Sequence, residues 1–457
     1  MLTLSSAAAL LDGRHTGRDV EFTSVGSDSR TVMPGMLFVA LCGEHFDGHG
    51  FVRDVIAQGA AGALVAQEWV EKAAAHADLP LVEVADTRIA LGRLAARWRE
   101  RFHIPLIGIT GSNGKTTVKE MCAAILRADF GQHAVLATTG NLNNDIGLPL
   151  TLLNLRSSHH AAAIEMGMNH PGEIDYLTRL AQPTVALVNN AQRAHLAGLG
   201  TVTDVAHAKG EIFAGLDARG VAVINADDPH AELWRVLAAG RTVLSFGFAA
   251  TADVRGQWHA QGFGGELELA TPLGAATVRL PLPGLHNARN ALAAAAACLA
   301  AGVPLAPIAR GLAGFAGVKG RLQQQHGRGG ALVIDDSYNA NPDSMRAAIA
   351  VLATLPGRRI FVMGDMGEVG ETAGQLHSEI GGHAKSMGID HLLALGEKSA
   401  TAVSDFGAGG RHFDSVETLV QVLFPLMDQD TTVLVKGSRF MRMERVVESI
   451  VEGDHAA

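Results

Sequence analysis

The stretch ITGSNGKTTVKE, Ile109 to Glu120, sets two glycines, a lysine and two adjacent threonines between an apolar run and an amphipathic one. Before it, IPLIG (Ile104 to Gly108) has the length and composition of a buried strand. After it, KTTVKEMCAAILRA carries Val118, Met121, Cys122, Ile125 and Leu126 at helical spacing. The glycines therefore sit at a strand-to-helix turn. Backbone N–H groups at a helix N-terminus converge there and carry partial positive charge, which suits phosphate. Gly111, Ser112, Asn113 and Gly114 form the cradle, Lys115 reaches the outer phosphates, and the Thr116 hydroxyl is placed for Mg²⁺, with Thr117 beside it. The spacing departs from G-x-x-x-x-G-K-[ST], because Ile109 stands where the first glycine belongs. A nucleoside triphosphate is the expected ligand of this variant loop.

Working outward, 457 residues allow about three domains of roughly 150 residues each. A hydrophobic content of 47% with no extended polar tract describes a globular chain that can bury several cores. The net charge of -9 argues against coating nucleic acid, although a cleft can still gather cations around a small polyanion. The run ALAAAAACLAAG (Ala291 to Gly302) is too short to span a bilayer and reads as a packed core helix, so no membrane insertion is expected. MLTLSSAAALLDGR lacks basic residues ahead of its apolar part, unlike a secretory signal. Cys42, Cys122 and Cys298 lack metal-type pairing and fit a reducing cytoplasm. The basic run Arg93 to Phe102 reads as the solvated face of a helix.

Three α/β segments follow one another. LFVAL, GALVA and LVEVA alternate with helices in residues 1–101. From 102 to 315, the loop unit is followed by AAAIEMG, TVALVNN and GVAVINADD, strands that end in polar residues and predict a parallel sheet with its site at the strand ends. GELELA and ATVRLPL, between Phe246 and Pro283, predict antiparallel strands appended to that sheet. From 316 to 457, ALVIDDSYNANP, RRIFVMGDMGE, HLLALG and TTVLVKGS repeat the strand-to-polar-loop pattern. Glu165, ending AAAIEMG, is placed to hold Mg²⁺ beside a triphosphate. His195, in NNAQRAHLAGLG, follows another strand end, where a metal ligand or a polar positioning residue is wanted. Lys209, on a helix, reads from its spacing alone as solvated.

GITGSNGKTT, IEMG, VNNAQRAH, AKGEIF, PGLHNARNALAA and GRLQ together resemble the Mur ligases, which build the peptide stem of the bacterial cell wall. The resemblance runs from Ser27 to about Arg439. TTGNLNNDIG and DDSYNANP resemble the branch of the family that adds a D,D-dipeptide. This implies an α/β enzyme of three domains: an N-terminal UDP-sugar domain (1–101), a central ATPase-type parallel sheet (102–315) and a C-terminal Rossmann-like domain (316–457). It implies ATP and Mg²⁺ as cofactors, UDP-N-acetylmuramoyl-tripeptide and D-alanyl-D-alanine as partners, and a cytoplasmic monomer.

By position, the resemblance implies catalytic roles for Lys115, Glu165, His195, Lys209 and Arg321, with Thr116, Glu165, His195 and Lys209 around the metal. Lys209 matches a lysine that is carbamylated in related members. His286, Asn287 and Asn290 match the adenine side, and Asp336 a ribose-side carboxylate. Leu285 in PGLHN departs from the arginine expected there. For the UDP-sugar the residues are Ser29, Arg30, Asp47 and His49, with Asn141, Asn143 and Asn144 near the muramoyl peptide. Asn339, Asn341 and Lys436 are candidates for contacts to ATP or the dipeptide.

Overall fold

The apolar runs become strands because each is buried on both faces, as parallel sheets flanked by helices require. A computed structural model describes residues 1–44, 46–72, 78–194 and 196–452. Among the described residues there are three large sheets and a two-stranded ribbon, Leu2–Thr3 with Glu21–Phe22. The first large sheet has five strands, ordered Arg14–Thr16, Leu81–Val84, Gly62–Ala66, Met36–Val39 and Ser24–Gly26, parallel except at its first pair.

The central sheet has nine strands. Leu106–Thr110 lies between Ala161–Glu165 and Val185–Val188, parallel to both. The chain first builds outward on the Ala161–Glu165 side and then returns to extend the other, through Val221–Asn225 and Thr242–Gly247. The strand ends at Thr110 and Val188 thus flank a topological switch point, where open α/β sheets bind their ligands. The expected antiparallel strands are present as Val254–Gln261, Gly264–Thr271 and Gly274–Leu280, continuing the same sheet.

The helix Lys115–Phe130 buries Val118, Met121, Cys122, Ile125 and Leu126 completely. It packs against the alanine-rich helix Leu285–Ala300, whose small side chains let the Cys298 thiol approach the Cys122 carbonyl at 3.8 Å. Burying five such side chains is worth about 1.5–3 kcal/mol each for the larger aliphatic ones, so packing fixes the direction of the helix. The phosphate loop is therefore presented from a rigid base.

The third sheet has six strands, with Leu332–Asp336, Thr431–Lys436 and Arg358–Gly364 adjacent and parallel at its centre. Their C-terminal ends face the loop of the central sheet.

The solvated face expected of the basic run holds for Arg93, Arg97 and Arg101, which are exposed, but Arg99 is buried at the end of the helix Thr87–Arg99. Its guanidinium donates to the carbonyls of Ala181, Phe102 and Gln182. It ties the first segment to the second through these three carbonyls. No helix among the described residues is long and apolar enough to cross a membrane.

Candidate active site

Gly114 caps the helix Lys115–Phe130 in the left-handed region (φ 79°), and a Cβ there would lie 2.4 Å from Asn290 Oδ1. Only glycine satisfies both the dihedral and the approach. Ser112 N–H donates to the Asn190 carbonyl at 3.0 Å, and Asn113 N–H donates to Asn190 Oδ1 at 2.9 Å. Asn189 Nδ2 reaches both the Asn113 carbonyl (2.9 Å) and Asn290 Oδ1 (3.0 Å). Asn290 in turn donates to Asn287, which donates to the Pro283 carbonyl. A chain of amides thus pins the loop to the neighbouring strand and to the alanine-rich helix. VNNAQRAH was readable for its histidine, but the part Asn189 and Asn190 play depends on a loop 76 to 77 residues away.

Lys115 Nζ folds back onto the carbonyls of Gly111 (2.8 Å) and Ser112 (3.3 Å). Loss of water lowers its pKa, Glu165 and Glu368 oppose that shift, and Arg321 adds to it. Arg321 enters from beyond the central sheet, stacks over the Tyr338 ring at 4.4 Å and donates to Thr116 Oγ1 at 3.1 Å. Two cations and a hydroxyl therefore meet where the outer phosphates of a nucleotide would lie.

Glu165 is almost fully buried at its strand end. Its Oε1 accepts from Asn143 at 2.8 Å, while its Oε2 is buried with no hydrogen-bond partner among the described residues. Lys209, on the helix Val202–Gly210, is fully buried and its Nζ likewise has no partner among them. Burial first, and the Lys115 charge second, push its pKa far below the ordinary range, against the pull of Glu165. The solvated lysine expected from spacing is thus corrected: Lys209 lies on the buried face of its helix, and the loss of water disfavours the ammonium. The buried, unpartnered Glu165 oxygen, with the Thr116 hydroxyl on the same cleft, fits a divalent cation held by oxygen ligands. His195 lies outside the described residues.

The recess beside the loop is lined by His286, Asn287, Asn290 and Asp336. Burial and the charges of Lys436 and Arg289 hold His286 at about 4, so its ring is neutral. Leu285, where an arginine was expected, is about half exposed at the start of its helix. Asp336 accepts from Lys436 Nζ at 2.6 Å and from Leu322 N–H at 3.2 Å. Lys436, read as a ligand contact, is nearly buried and also donates to the Asn339 carbonyl. Its charge is spent inside the protein.

Asn341 caps the helix Pro342–Ala353 through Ser344 and exchanges two hydrogen bonds with Asn113, at 2.8 and 3.2 Å. Its amide clasps the third sheet to the phosphate loop, which is a different duty from the substrate contact expected. A second clasp had no sequence signal: Arg193 holds Asp343 through two nitrogens and also reaches Glu379. The main cleft, about 1110 Å³, exceeds the size of a site for one small ligand. Asn141, Asn143, Asn144, Asn339 and Asn341 line it. Asn144 also caps the helix that begins at Gly147.

The structure does not bring Ser29, Arg30, Asp47 or His49 to that cleft's lining. Arg30 pairs with Asp28 on the surface. Asp47 caps a short turn and accepts from His49 Nδ1 at 2.6 Å, while His49 Nε2 accepts from Ala66 N–H at 2.9 Å. Both ring nitrogens of His49 are thereby used, so its expected ligand contact has no free ring atom. The same tautomer keeps Cys42, Asp47 and His49 from serving as a metal site, although their ligand atoms lie within 4.8 Å of one another.

A phosphate loop at a switch point, roofed by a second parallel sheet that contributes an arginine, defines a nucleotide-using α/β enzyme. Family descriptions match three stretches: "Mur ligase family, catalytic domain" (residues 21–99), "Mur ligase middle domain" (109–298) and "Mur ligase, glutamate ligase domain" (320–439). The UDP-N-acetylmuramoyl-tripeptide--D-alanyl-D-alanine ligase of Escherichia coli K12 is 44% identical over 455 residues, covering 99% of this chain and 98% of that one. MurF from Acinetobacter baumannii superposes with a TM-score of 0.91 at 37% identity, with 98% of each chain covered. MurF from Thermotoga maritima, solved in complex with ADP, gives 0.81 at 27% identity, covering 93% and 96%. The chain belongs to the Mur ligase family.

Proposed function

We propose that this protein joins D-alanyl-D-alanine to UDP-N-acetylmuramoyl-tripeptide at the expense of ATP, making the pentapeptide precursor of peptidoglycan with ADP and phosphate. The observation that supports this best is the extent of the match to the E. coli ligase, which runs through all three sheets. The domains are taken as residues 1–101, 102–315 and 316–457, working as a cytoplasmic monomer.

A carboxylate is a poor acyl donor because its leaving group would be oxide. Transfer of the γ-phosphoryl group to the tripeptide carboxylate gives an acyl phosphate, whose leaving group is phosphate. The dipeptide amine then attacks the acyl carbon, the tetrahedral intermediate expels phosphate, and an amide remains. Lys115 and Arg321 neutralise charge on the moving phosphoryl group. Thr116, Glu165, His195 and Lys209 would hold Mg²⁺, which supplies charge neutralisation when bound. A neutral Lys209 amine can add CO₂ and release a proton, giving a carbamate with two oxygens directed at the same place. His286, Asn287 and Asn290 form the adenine side, with Asp336 toward the ribose. Ser29, Arg30, Asp47 and His49 belong to the region for the UDP-sugar, Asn141, Asn143 and Asn144 to that for the muramoyl peptide, and Asn339, Asn341 and Lys436 shape the dipeptide side. The clasps between sheets exclude water that would hydrolyse the intermediate.

The test is a coupled phosphate assay with the tripeptide carboxylate labelled with heavy oxygen. Release that needs both substrates, favours D-alanyl-D-alanine over single amino acids and carries one label into phosphate is expected. Phosphate release with ATP and Mg²⁺ alone, or unlabelled phosphate, refutes the reading.

A further inference from the structure

The strand Arg358–Gly364 ends in a loop, Asp365 to Val369, that forms one wall of the main cleft. Glu368 in this loop stands at φ 58°, in the left-handed region that non-glycine side chains seldom occupy. Such a conformation is unfavourable for a side chain with a Cβ and persists where the surroundings fix it. They do so on both sides. Met366 N–H donates to His377 Nε2 at 2.9 Å, and Gly367 N–H donates to Ser438 Oγ at 2.7 Å. His377 is itself held by the Ala373 carbonyl at 2.6 Å.

Held this way, the Glu368 carboxylate belongs to the cleft, and its charge is felt at Lys115, where the outer phosphates lie. The bond between Gly367 and Ser438 also brings the loop against Arg439 and Phe440. A Cβ on Gly367 would lie 3.0 Å from the Phe440 ring. Arg439 and Phe440 line the same cleft, and Phe440 is 61% exposed, a large apolar side chain left open to it. An anion, an aromatic face and a guanidinium, the last also held by Glu444 at 3.0 Å, thus line one wall.

A D,D-dipeptide offers the complementary set: an ammonium that must arrive next to the activated carbonyl, two methyl groups and a terminal carboxylate. We propose that the incoming dipeptide docks as a zwitterion along this wall, its ammonium on Glu368, its methyl groups along Phe440 and its carboxylate on Arg439. The inference rests on the ligase reading above and adds the residues that select the acceptor.

Steady-state kinetics on the full chain test it. Glu368→Gln should raise KM for D-alanyl-D-alanine at least tenfold while leaving KM for ATP and for the UDP-tripeptide within twofold. Glu368→Asn, which tolerates the left-handed backbone, should behave like Glu368→Gln, and Glu368→Asp should recover part of the loss. Wild type should prefer D-alanyl-D-alanine to its C-terminal amide about tenfold, and Arg439→Gln should erase that preference. A dipeptide KM within twofold of wild type in both Glu368→Gln and Glu368→Asn, or an undiminished preference in Arg439→Gln, overturns the proposal alone. A wild-type chain that binds ATP yet ligates no D,D-dipeptide overturns the ligase reading and this inference with it.

Discussion

Lys119 and Lys209 are both fully buried, both lie on helices of the central segment, and both have a glutamate one or two places further on. Their surroundings differ. Lys119 Nζ donates to the Thr138 carbonyl at 2.6 Å and to the Glu120 carboxylate, so its donors find acceptors at once. Lys209 Nζ has no partner among the described residues. Its neighbour Glu211 is diverted, accepting from Gly172 N–H (2.8 Å) and Asp175 N–H (3.1 Å) at the start of the helix Glu173–Ala181. Glu165 turns one oxygen to Asn143 and leaves the other unused. Burial of a lysine therefore says little about chemistry. Burial with its counter-charges committed elsewhere lowers the pKa of Lys209, the pattern its proposed role requires.

The largest effect that could break this comparison is on rate. Lys209→Ala should cut ligation at least about a hundredfold, the scale on which a site loses one charge-stabilising group. Its melting temperature should stay level or rise, because no internal hydrogen bond is lost, and short carboxylic acids should restore part of the rate. An unaltered rate removes Lys209 from the site.

Lys119→Met should show the reverse. Leaving the Thr138 carbonyl buried without its donor should cost about 1–3 kcal/mol in denaturant unfolding, with kcat within a few fold of wild type. A catalytic collapse without loss of stability would put Lys119 and Lys209 in the same class.

A smaller effect is expected at the clasp between sheets. Arg193→Ala removes the double contact to Asp343 and the pairing with Glu379, which are half-buried. KM for ATP should rise about fivefold, equivalent to about 1 kcal/mol, and scattering should show a more open chain. Identical scattering and KM would show that the Asn113 to Asn341 contact suffices.

The smallest effect concerns acid. His286 is held at about 4 against an ordinary 6.5, so the folded state refuses a proton that the unfolded chain accepts. Between about 6.5 and 4 the unfolded state binds more protons, and stability falls as pH falls through that window. The drop in melting temperature from pH 7 to pH 5 should be smaller in His286→Gln than in wild type. An identical drop would mean that other groups set the acid limb.

The parts of the site legible in the sequence are those whose physics is local. Gly114, Lys115 and Thr116 could be placed because a glycine turn, a helix start and its first side chains are consecutive. Glu165 could be placed because a strand end follows from an apolar run. Arg99 was misread because an arginine on a helix is ordinarily solvated, and only the carbonyls of Ala181 and Gln182, more than 80 residues on, make it a core residue. Asn341, read as a ligand contact and lining the cleft, is also a helix cap and a clasp on Asn113, 228 residues away.

By itself, then, the sequence determined the alternation of strands and helices, the phosphate loop and the family signature, since each depends on neighbours along the chain. Only the tertiary structure decided which buried lysine finds hydrogen-bond partners and which is left without one among the described residues. It also decided that Glu368 lines the cleft shared with the phosphate loop and that Arg193 reaches across to Asp343 and Glu379. Charge and solvation depend on distance through space, and in this chain the deciding partners lie tens to hundreds of residues apart.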